Sequence, residues 1–279
     1  MASLLIDVVA AAALAYLLAC AYLYLAQGRQ IFKPLRDIEA TPADYGLPYE
    51  DIDFRSGDSV RLNGWYVPCV GARHALMFFH GNTRNISYCL DSVSLFHRLG
   101  FHVFLFDYRG YGRSEGRPGE QGTYLDAEAA WQYLVETRRI DAATIVMLGR
   151  SLGAAIASWL AVRHQPQALV IESTFTSLPD VAAEMYPYLP ARLLARHRYP
   201  VARYLPQVHC PLLVVHSRED EITRFHHATA LYAVANEPKE LFEISGRHYD
   251  GYSTSGKTYE QGLDRFFRRY LTLNGDRSI

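Results

Sequence analysis

A serine between two glycines is the first group in this sequence that could do covalent chemistry. Residues 149–153 read GRSLG, and they stand between the apolar run 145–148 and an alanine-rich stretch. At a sharp turn from strand to helix, the pattern G-x-S-x-G lifts a serine hydroxyl above a sheet, while the glycines let the backbones pass closely. We therefore predict that Ser151 is a nucleophile.

The base that such a serine needs is a histidine later in the chain, in a loop at a strand end. His248 is the last of the 11 histidines, and it follows the strand-like residues 240–244 in a Ser-Gly-Arg-His loop. We predict that His248 takes the proton of Ser151.

An acid that orients this histidine is expected between the serine and the histidine, again after a strand. The apolar residues 212–215 lead into an acidic run at 219–221. We predict that Asp220 holds His248 in the required tautomer and stabilises the imidazolium. Glu219 and Glu221 are interpreted as surface charges.

Two backbone N–H groups are needed to bind the oxyanion of a tetrahedral intermediate. We predict that Leu152 supplies one from the start of the helix after the nucleophile. The other is predicted at Asn82, in the loop after an earlier strand. His80 in that loop is interpreted as structural because it precedes Ser151. A reaction of this kind is expected to need no metal and no cofactor.

Short apolar runs alternate with helix-like segments through most of the chain. Two strands around a turn at 56–58 come first, and continuous apolar runs follow at 75–79, 103–106, 145–148, 169–171 and 212–215. Helical patterns lie at 85–99, 124–137, 152–162 and 258–271. This order predicts an α/β fold with a mostly parallel sheet, helices on both faces and the reactive groups at the carboxyl ends of the strands.

The interval between residues 173 and 211 breaks the alternation with several prolines and an aromatic, apolar stretch at 185–194. Uninterrupted loops of this length are uncommon unless they serve a site. We therefore predict a small helical cap at about 174–208. The chain is divided accordingly into an N-terminal anchor at 1–28, a linker at 29–48 and a catalytic domain at 49–279.

The predicted anchor rests on an uncharged apolar stretch, residues 8–26. Its length matches the roughly 20 residues that cross the hydrocarbon core as a helix, and Tyr22 and Tyr24 suit the headgroup level. A cleaved signal peptide would carry basic residues before the apolar stretch, where this sequence has Asp7 and the terminal amine. We predict an uncleaved transmembrane helix.

Flanking charge predicts the orientation of this helix. Arg29, Lys33 and Arg36 follow the apolar stretch, and no lysine or arginine precedes it. The positive-inside rule then places the C-terminal domain in the cytoplasm.

Composition narrows the expected partners. The formal net charge of −1 offers no field for gathering nucleic acid, so none is expected as a partner. The cysteines lack metal or disulfide spacing, and we interpret them as free thiols of a reducing compartment: Cys20, Cys69, Cys89 and Cys210.

These motifs together resemble the α/β-hydrolase family, and within it the membrane-anchored subgroup of abhydrolase-domain proteins. The resemblance runs from Tyr49 to the C-terminus through the stretches FFHGN, FDYRGYGRSEG, LGRSLG, IESTFTS and ISGRH. It implies the α/β-hydrolase fold and a triad of Ser151, Asp220 and His248.

Two positions depart from the pattern of that family. Thr223 and Arg224 stand where related sequences carry Val-Pro, and Tyr249 replaces a small polar residue after the histidine. Both departures are expected to reshape the mouth of the pocket.

The leading hypothesis for function is hydrolysis of a small or lipid-like carboxylic ester through an acyl-enzyme at Ser151. Apolar cap residues would either contact an acyl chain or form the core of the cap: Met185, Tyr186, Tyr188 and Leu189. A thioesterase acting on acylated protein or acyl-CoA would use the same triad. A catalytically silent, membrane-tethered binding module would use the fold without its chemistry.

Overall fold

A computed structural model of the chain describes residues 1–271, so the end of the predicted catalytic domain at 272–279 lies outside the described residues. Strands β1 to β10 are Lys33–Pro34, Glu50–Arg55, Arg61–Val67, His74–Phe79, Thr83–Arg84, Phe101–Phe106, Ile145–Arg150, Ala168–Glu172, Leu212–Ser217 and Lys239–Ile244. Helices α1 to α9 are Ala2–Ile31, Leu90–Arg98, Glu120–Gln132, Leu152–His164, Leu178–Met185, Ala191–Leu194, Val201–Tyr204, His226–Val234 and Gly251–Tyr270.

Eight of these strands form one sheet in the order β2-β3-β6-β4-β7-β8-β9-β10. The pairs β2–β3 and β3–β6 are antiparallel, and every other pair in this sheet is parallel. The predicted α/β fold with a mostly parallel sheet is therefore confirmed. Because parallel strands end at the same edge, the loops after β4, β7, β9 and β10 meet there.

The sheet is covered on both faces, which explains why its central strands are continuously apolar. Side chains of α3, α4 and α8 pack with one face in a core that includes Trp131, Ile156 and Leu231. Helices α2 and α9 pack on the other face around Phe96 and Phe266.

Several helices differ in extent from their sequence patterns. The predicted helix 85–99 begins with a 3-10 turn, Ile86–Cys89, and 124–137 begins at Glu120 and ends in a π-helical turn, Tyr133–Thr137. Helix α9 begins at Gly251 instead of Thr258, because Gly256 adopts a φ of +46° and joins two helical segments. Helix α8 was not predicted.

The long interval after β8 contains short helices. It holds α5, α6, α7 and a 3-10 turn at Leu205–Gln207. Ser177 begins α5 as its N-cap, where its hydroxyl accepts a hydrogen bond from the N–H of Asp180. The name cap is kept here for residues 174–208.

Helix α1 is long and apolar enough to cross a membrane, a property that signal sequences share, and its most apolar window is entirely exposed. Its C-terminal end is partly buried, at Leu23 and Gln27. After α1, the predicted linker forms the short strand β1, which pairs in parallel with β5. The last turns of helix α1 therefore contact the rest of the chain.

Candidate active site

Ser151 occupies a strained turn between β7 and α4. Its φ of 54° and ψ of −120° lie in a region that non-glycine residues rarely adopt. A Cβ at Gly153 would lie 2.1 Å from the carbonyl oxygen of Phe79, and one at Gly149 would lie 2.4 Å from the Cα of Ala154. Only glycine fits at both positions, so the tight turn predicted from the pentapeptide is present.

Ser151, His248 and Asp220 form a continuous hydrogen-bonded chain. The Oγ of Ser151 lies 3.1 Å from Nε2 of His248, and Nδ1 of His248 lies 2.8 Å from Oδ2 of Asp220. The histidine side chain is 3% exposed and the aspartate side chain is fully buried. These distances allow the imidazole to accept a proton from the hydroxyl while the carboxylate holds the opposite ring nitrogen.

The surroundings of Asp220 favour its ionised form. Burial raises the pKa of Asp220, but the hydrogen bond with His248 and those from two backbone N–H groups outweigh it, so the pKa lies below its ordinary value. The two N–H groups belong to Thr223 and Ile222, and their nitrogens lie 2.8 and 2.9 Å from Oδ1 of Asp220. Asp220 can therefore stabilise a charged imidazolium.

The two departures from the family pattern lie close to His248. Thr223 is buried, and its hydroxyl oxygen lies 3.0 Å from Oδ2 of Asp220 and 3.3 Å from Nδ1 of His248. The ring of Tyr249 meets the His248 ring edge-on, with centroids 5.0 Å apart, and remains 58% exposed. Thr223 therefore supports the histidine–aspartate pair, while Tyr249 stands at the mouth of the pocket.

Glu219 and Glu221 are exposed, as expected for surface charges, but each also contacts the loop that carries the histidine. Glu221 accepts a hydrogen bond from the N–H of His248 at 3.2 Å, and Glu219 accepts one from Gly246 at 3.3 Å. Sequence reasoning missed this contribution to positioning the loop.

The two predicted oxyanion-hole residues both line the cavity above Ser151. Within the described chain, the backbone N–H groups of Asn82 and Leu152 donate to no protein acceptor. The carbonyl of Asn82 accepts hydrogen bonds from the hydroxyl of Tyr111 at 2.8 Å and the N–H of Lys33 at 2.9 Å. These bonds fix the loop after β4 beside the nucleophile.

His80 is the first residue of that loop, and its side chain is not hydrogen-bonded to Ser151, His248 or Asp220. It is 2% exposed, its Nδ1–H donates to the carbonyl of Gly81 at 2.8 Å, and its ring stacks on Tyr108 with centroids 4.3 Å apart. Burial lowers the pKa of His80 to about 4, so the imidazole is neutral.

A buried ion pair next to the nucleophile was not predicted. Nε of Arg150 donates to Glu172 at 2.8 Å, and the hydroxyl of Tyr259 donates to the other carboxylate oxygen at 2.6 Å. The N–H of Ser151 also donates to the carbonyl of Glu172, at 2.8 Å. The network ties the strained turn to β8 and α9, whose residues are remote in the sequence.

A cavity of about 450 Å³ opens above the triad. Its floor includes Ser151 and His248, and the cap contributes Val181 and Met185. Helix α1 forms another wall and contributes, among others, Leu23, Gln27 and Ile31. The lining is mainly apolar, which suits a ligand with a hydrocarbon part.

A cluster with metal-ligating side chains lies outside this cavity. Glu184 of α5 and His226 and His227 of α8 place one ligand atom each within 4.8 Å of one another. Nε2 of His226 lies 2.9 Å from Oε1 of Glu184, so a hydrogen bond between the cap and α8 accounts for this contact without a metal. The cluster has no contact with the triad.

Comparisons with known proteins agree with this fold. The sequence family described as serine aminopeptidase, S33, matches residues 71–203. An uncharacterized protein of Mycobacterium tuberculosis is 39% identical over 226 residues, covering 80% of each chain. The alpha/beta hydrolase domain-containing protein WAV2 of Arabidopsis thaliana is 33% identical over 254 residues, covering 82% of each chain.

Among solved structures, the Pyrococcus furiosus esterase Pf2001 superimposes with a TM-score of 0.74 at 21% identity, covering 86% of this chain and 98% of that chain. Fold and relatives together define a hydrolase. The chain belongs to the α/β-hydrolase family, as its resemblance to that family implied.

Proposed function

We propose that this hydrolase is a membrane-anchored serine enzyme that cleaves carboxylic esters. The observation that carries the proposal is the chain of contacts from Ser151 through His248 to Asp220, at 3.1 and 2.8 Å. In this proposal Ser151 is the nucleophile, His248 the general base and acid, and Asp220 the residue that orients the imidazole.

In the first half of the reaction, Oγ of Ser151 attacks the ester carbonyl while Nε2 of His248 takes the hydroxyl proton. The oxyanion of the tetrahedral intermediate accepts hydrogen bonds from the N–H groups of Asn82 and Leu152. When the intermediate collapses, the carbon–oxygen bond to the alcohol breaks and His248 gives its proton to the leaving oxygen. The acyl group is then esterified to Ser151.

In the second half, water replaces the alcohol. The water oxygen attacks the acyl carbonyl while His248 takes a proton from the water. The N–H groups of Asn82 and Leu152 bind the second oxyanion. Collapse releases the carboxylic acid, and the proton on His248 returns to Oγ of Ser151. The enzyme recovers its starting state.

The cavity supports an ester over the free amino terminus that an aminopeptidase would bind. Within residues 1–271, the cavity wall has no carboxylate side chain to pair with an ammonium group, whereas Arg29, Lys33 and His197 line it. Several structural neighbours are also named as esterases. A thioester remains compatible with the same triad, and kcat/KM on matched acyl esters and thioesters distinguishes the two.

The proposed anchor is α1, and the proposed orientation is cytoplasmic. The exposed apolar length of α1 and the basic residues that follow it support both. A reporter that is active only after export, fused to the C-terminus, is expected to stay inactive; an active reporter would reverse the orientation.

A fluorophosphonate probe tests the nucleophile directly. We expect full-length wild-type protein to be labelled and Ser151→Ala to lose labelling completely, because the probe reacts with an activated serine. Ser158→Ala is the matched control, since its hydroxyl is buried in α4 and donates to the carbonyl of Ala154. A folded wild type that takes no label would favour the silent binding module instead.

A further inference from the structure

The end of the membrane helix forms part of the cavity that holds the candidate nucleophile. Leu23, Gln27 and Ile31 of α1 line the same space as Ser151 and His248. Leu23 is 6% exposed, although most of the apolar residues before it on α1 are exposed. An anchor that served only to tether the domain would need no such contact.

Hydrogen bonds fix this wall of the cavity. Nε2 of Gln27 donates to the carbonyl of Leu194, and its Oε1 accepts from the N–H of Arg196, both at 2.7 Å. The side-chain amide of Asn82 donates to the carbonyl of Ile31 at the end of α1. Gln27 thus joins α1 to the cap, and Asn82 joins it to the proposed oxyanion loop.

The length of α1 sets where this wall lies relative to a bilayer. Its 30 residues measure about 45 Å at the usual helical rise, whereas a hydrocarbon core is about 30 Å thick. The uncharged residues 8–26 match that thickness. The end of α1, with Gln27 and Arg29, then lies at the headgroup level, and the exposed rings of Tyr22 and Tyr24 can reach that level from the last turns of the span.

The tip of the cap is apolar and exposed next to the same part of α1. Helix α6 packs against α1. Large apolar side chains around α6 remain open to solvent in the isolated chain: Met185, Tyr186, Tyr188 and Leu193. Arg196 lies over the ring of Tyr24 at 5.2 Å. Apolar side chains beside a basic residue suit contact with a lipid surface.

We propose that the substrate is a membrane-resident acyl ester whose hydrocarbon chain passes from the bilayer between α1 and the cap to Ser151. This inference rests on the proposed function and adds the source of the substrate and the residue that limits its chain. Leu23 bounds the acyl site, and Gln27 is a positioning residue that holds α1 against the cap.

A larger side chain at Leu23 is used to reduce the space of the proposed acyl site. Full-length Leu23→Trp protein is placed in phosphatidylcholine vesicles, and kcat/KM is measured on p-nitrophenyl palmitate and p-nitrophenyl acetate. We expect the palmitate-to-acetate ratio to fall by at least about tenfold, an effect within the range for a change in a hydrophobic subsite. Leu25→Trp is the matched control, because Leu25 lies on the same helix and is 73% exposed.

The outcomes separate the two proposals. If the wild type neither takes the fluorophosphonate label nor cleaves acetate, the proposed function itself fails. If the wild type is active and the Leu23→Trp ratio is unchanged, or Leu25→Trp lowers the ratio equally, the acyl site along α1 is wrong. If Leu23→Trp does not fold, Leu23→Phe decides by the same ratio, with a smaller fall expected.

Discussion

Among the histidine–aspartate contacts of residues 1–271, the outer pair His248–Asp220 and the inner pair His80–Asp107 differ in geometry. In the outer pair, Nδ1 of His248 lies 2.8 Å from Asp220, and the opposite ring nitrogen faces Ser151. In the inner pair, Nε2 of His80 lies 3.6 Å from Asp107, and the Nδ1–H of His80 donates to the carbonyl of Gly81. Of these two pairs, only the outer one contacts Ser151, the proposed nucleophile.

The pairs also differ in protonation. Asp220 accepts two backbone hydrogen bonds at Oδ1, and its pKa lies below the ordinary value. Burial raises the pKa of Asp107 to about 8, and burial lowers the pKa of His80 to about 4. At neutral pH the inner pair is therefore mostly uncharged. Environment, more than residue type, separates a pair that can support catalysis from one that supports a loop.

The largest effect is expected from neutralising the outer aspartate. Asp220→Asn removes the charge that stabilises the imidazolium and favours the wrong tautomer of His248, so kcat should fall about ten-thousandfold. Steady-state kinetics on p-nitrophenyl acetate measure it, with thermal unfolding as the fold control. A loss below about tenfold would mean that the outer pair does not operate as proposed.

A smaller, different effect is expected at the inner histidine. In His80→Asn the amide replaces the Nδ1–H donor, but the ring that stacks on Tyr108 is lost. Unfolding free energy should fall by about 2 kcal/mol, while kcat/KM on acetate changes less than about tenfold. Urea unfolding and kinetics on the same sample check both. If kcat/KM fell as far as in Asp220→Asn, the structural interpretation of His80 would be wrong.

The smallest effect is expected at Asp107, in how the free energy of unfolding depends on pH. The folded chain keeps a proton on Asp107 up to about pH 8, whereas the unfolded chain releases it near the ordinary value of 3.8. The contribution of this group to stability is therefore complete below about pH 4 and is lost as pH rises through 8.

Asp107→Asn should remove that loss, because asparagine stays neutral and its Oδ1 can still accept from the N–H of Ile86. Urea unfolding at pH 5 and pH 8 measures how much the free energy of unfolding changes with pH. The wild type should lose more stability between these values than Asp107→Asn. Equal slopes would show that Asp107 is ionised in the folded chain.

The fold, and the meeting of Ser151, His248 and Asp220 at one sheet edge, could be predicted because their signals are local. The pentapeptide around Ser151 needs a tight turn whatever lies elsewhere, and apolar runs of three to five residues identify buried strands. Chain order then restricted the choice of histidine. Asp220 lies in a run of three acids after β9, and the rule that the acid follows a strand located the run more firmly than the residue within it.

Other contacts could not be predicted because they depend on partners far along the chain. Glu172 contacts Arg150 and Tyr259, which are 22 and 87 positions away, and no periodicity connects them. Gln27 is the polar residue that follows the apolar stretch 8–26. From the sequence alone, it marks only the end of the predicted transmembrane segment. Its contacts with the cap, 167 and 169 positions away, require the folded chain.

The amide bridge at Gln27 has a kinetic consequence. In the proposed membrane arrangement, Gln27 holds α1 against the cap and Asn82 holds it against the loop after β4, so the cavity keeps one height relative to the lipid. Encounter with substrate then becomes a two-dimensional search. Turnover should follow the mole fraction of ester within the bilayer and decrease on surface dilution with inert lipid, at constant bulk concentration.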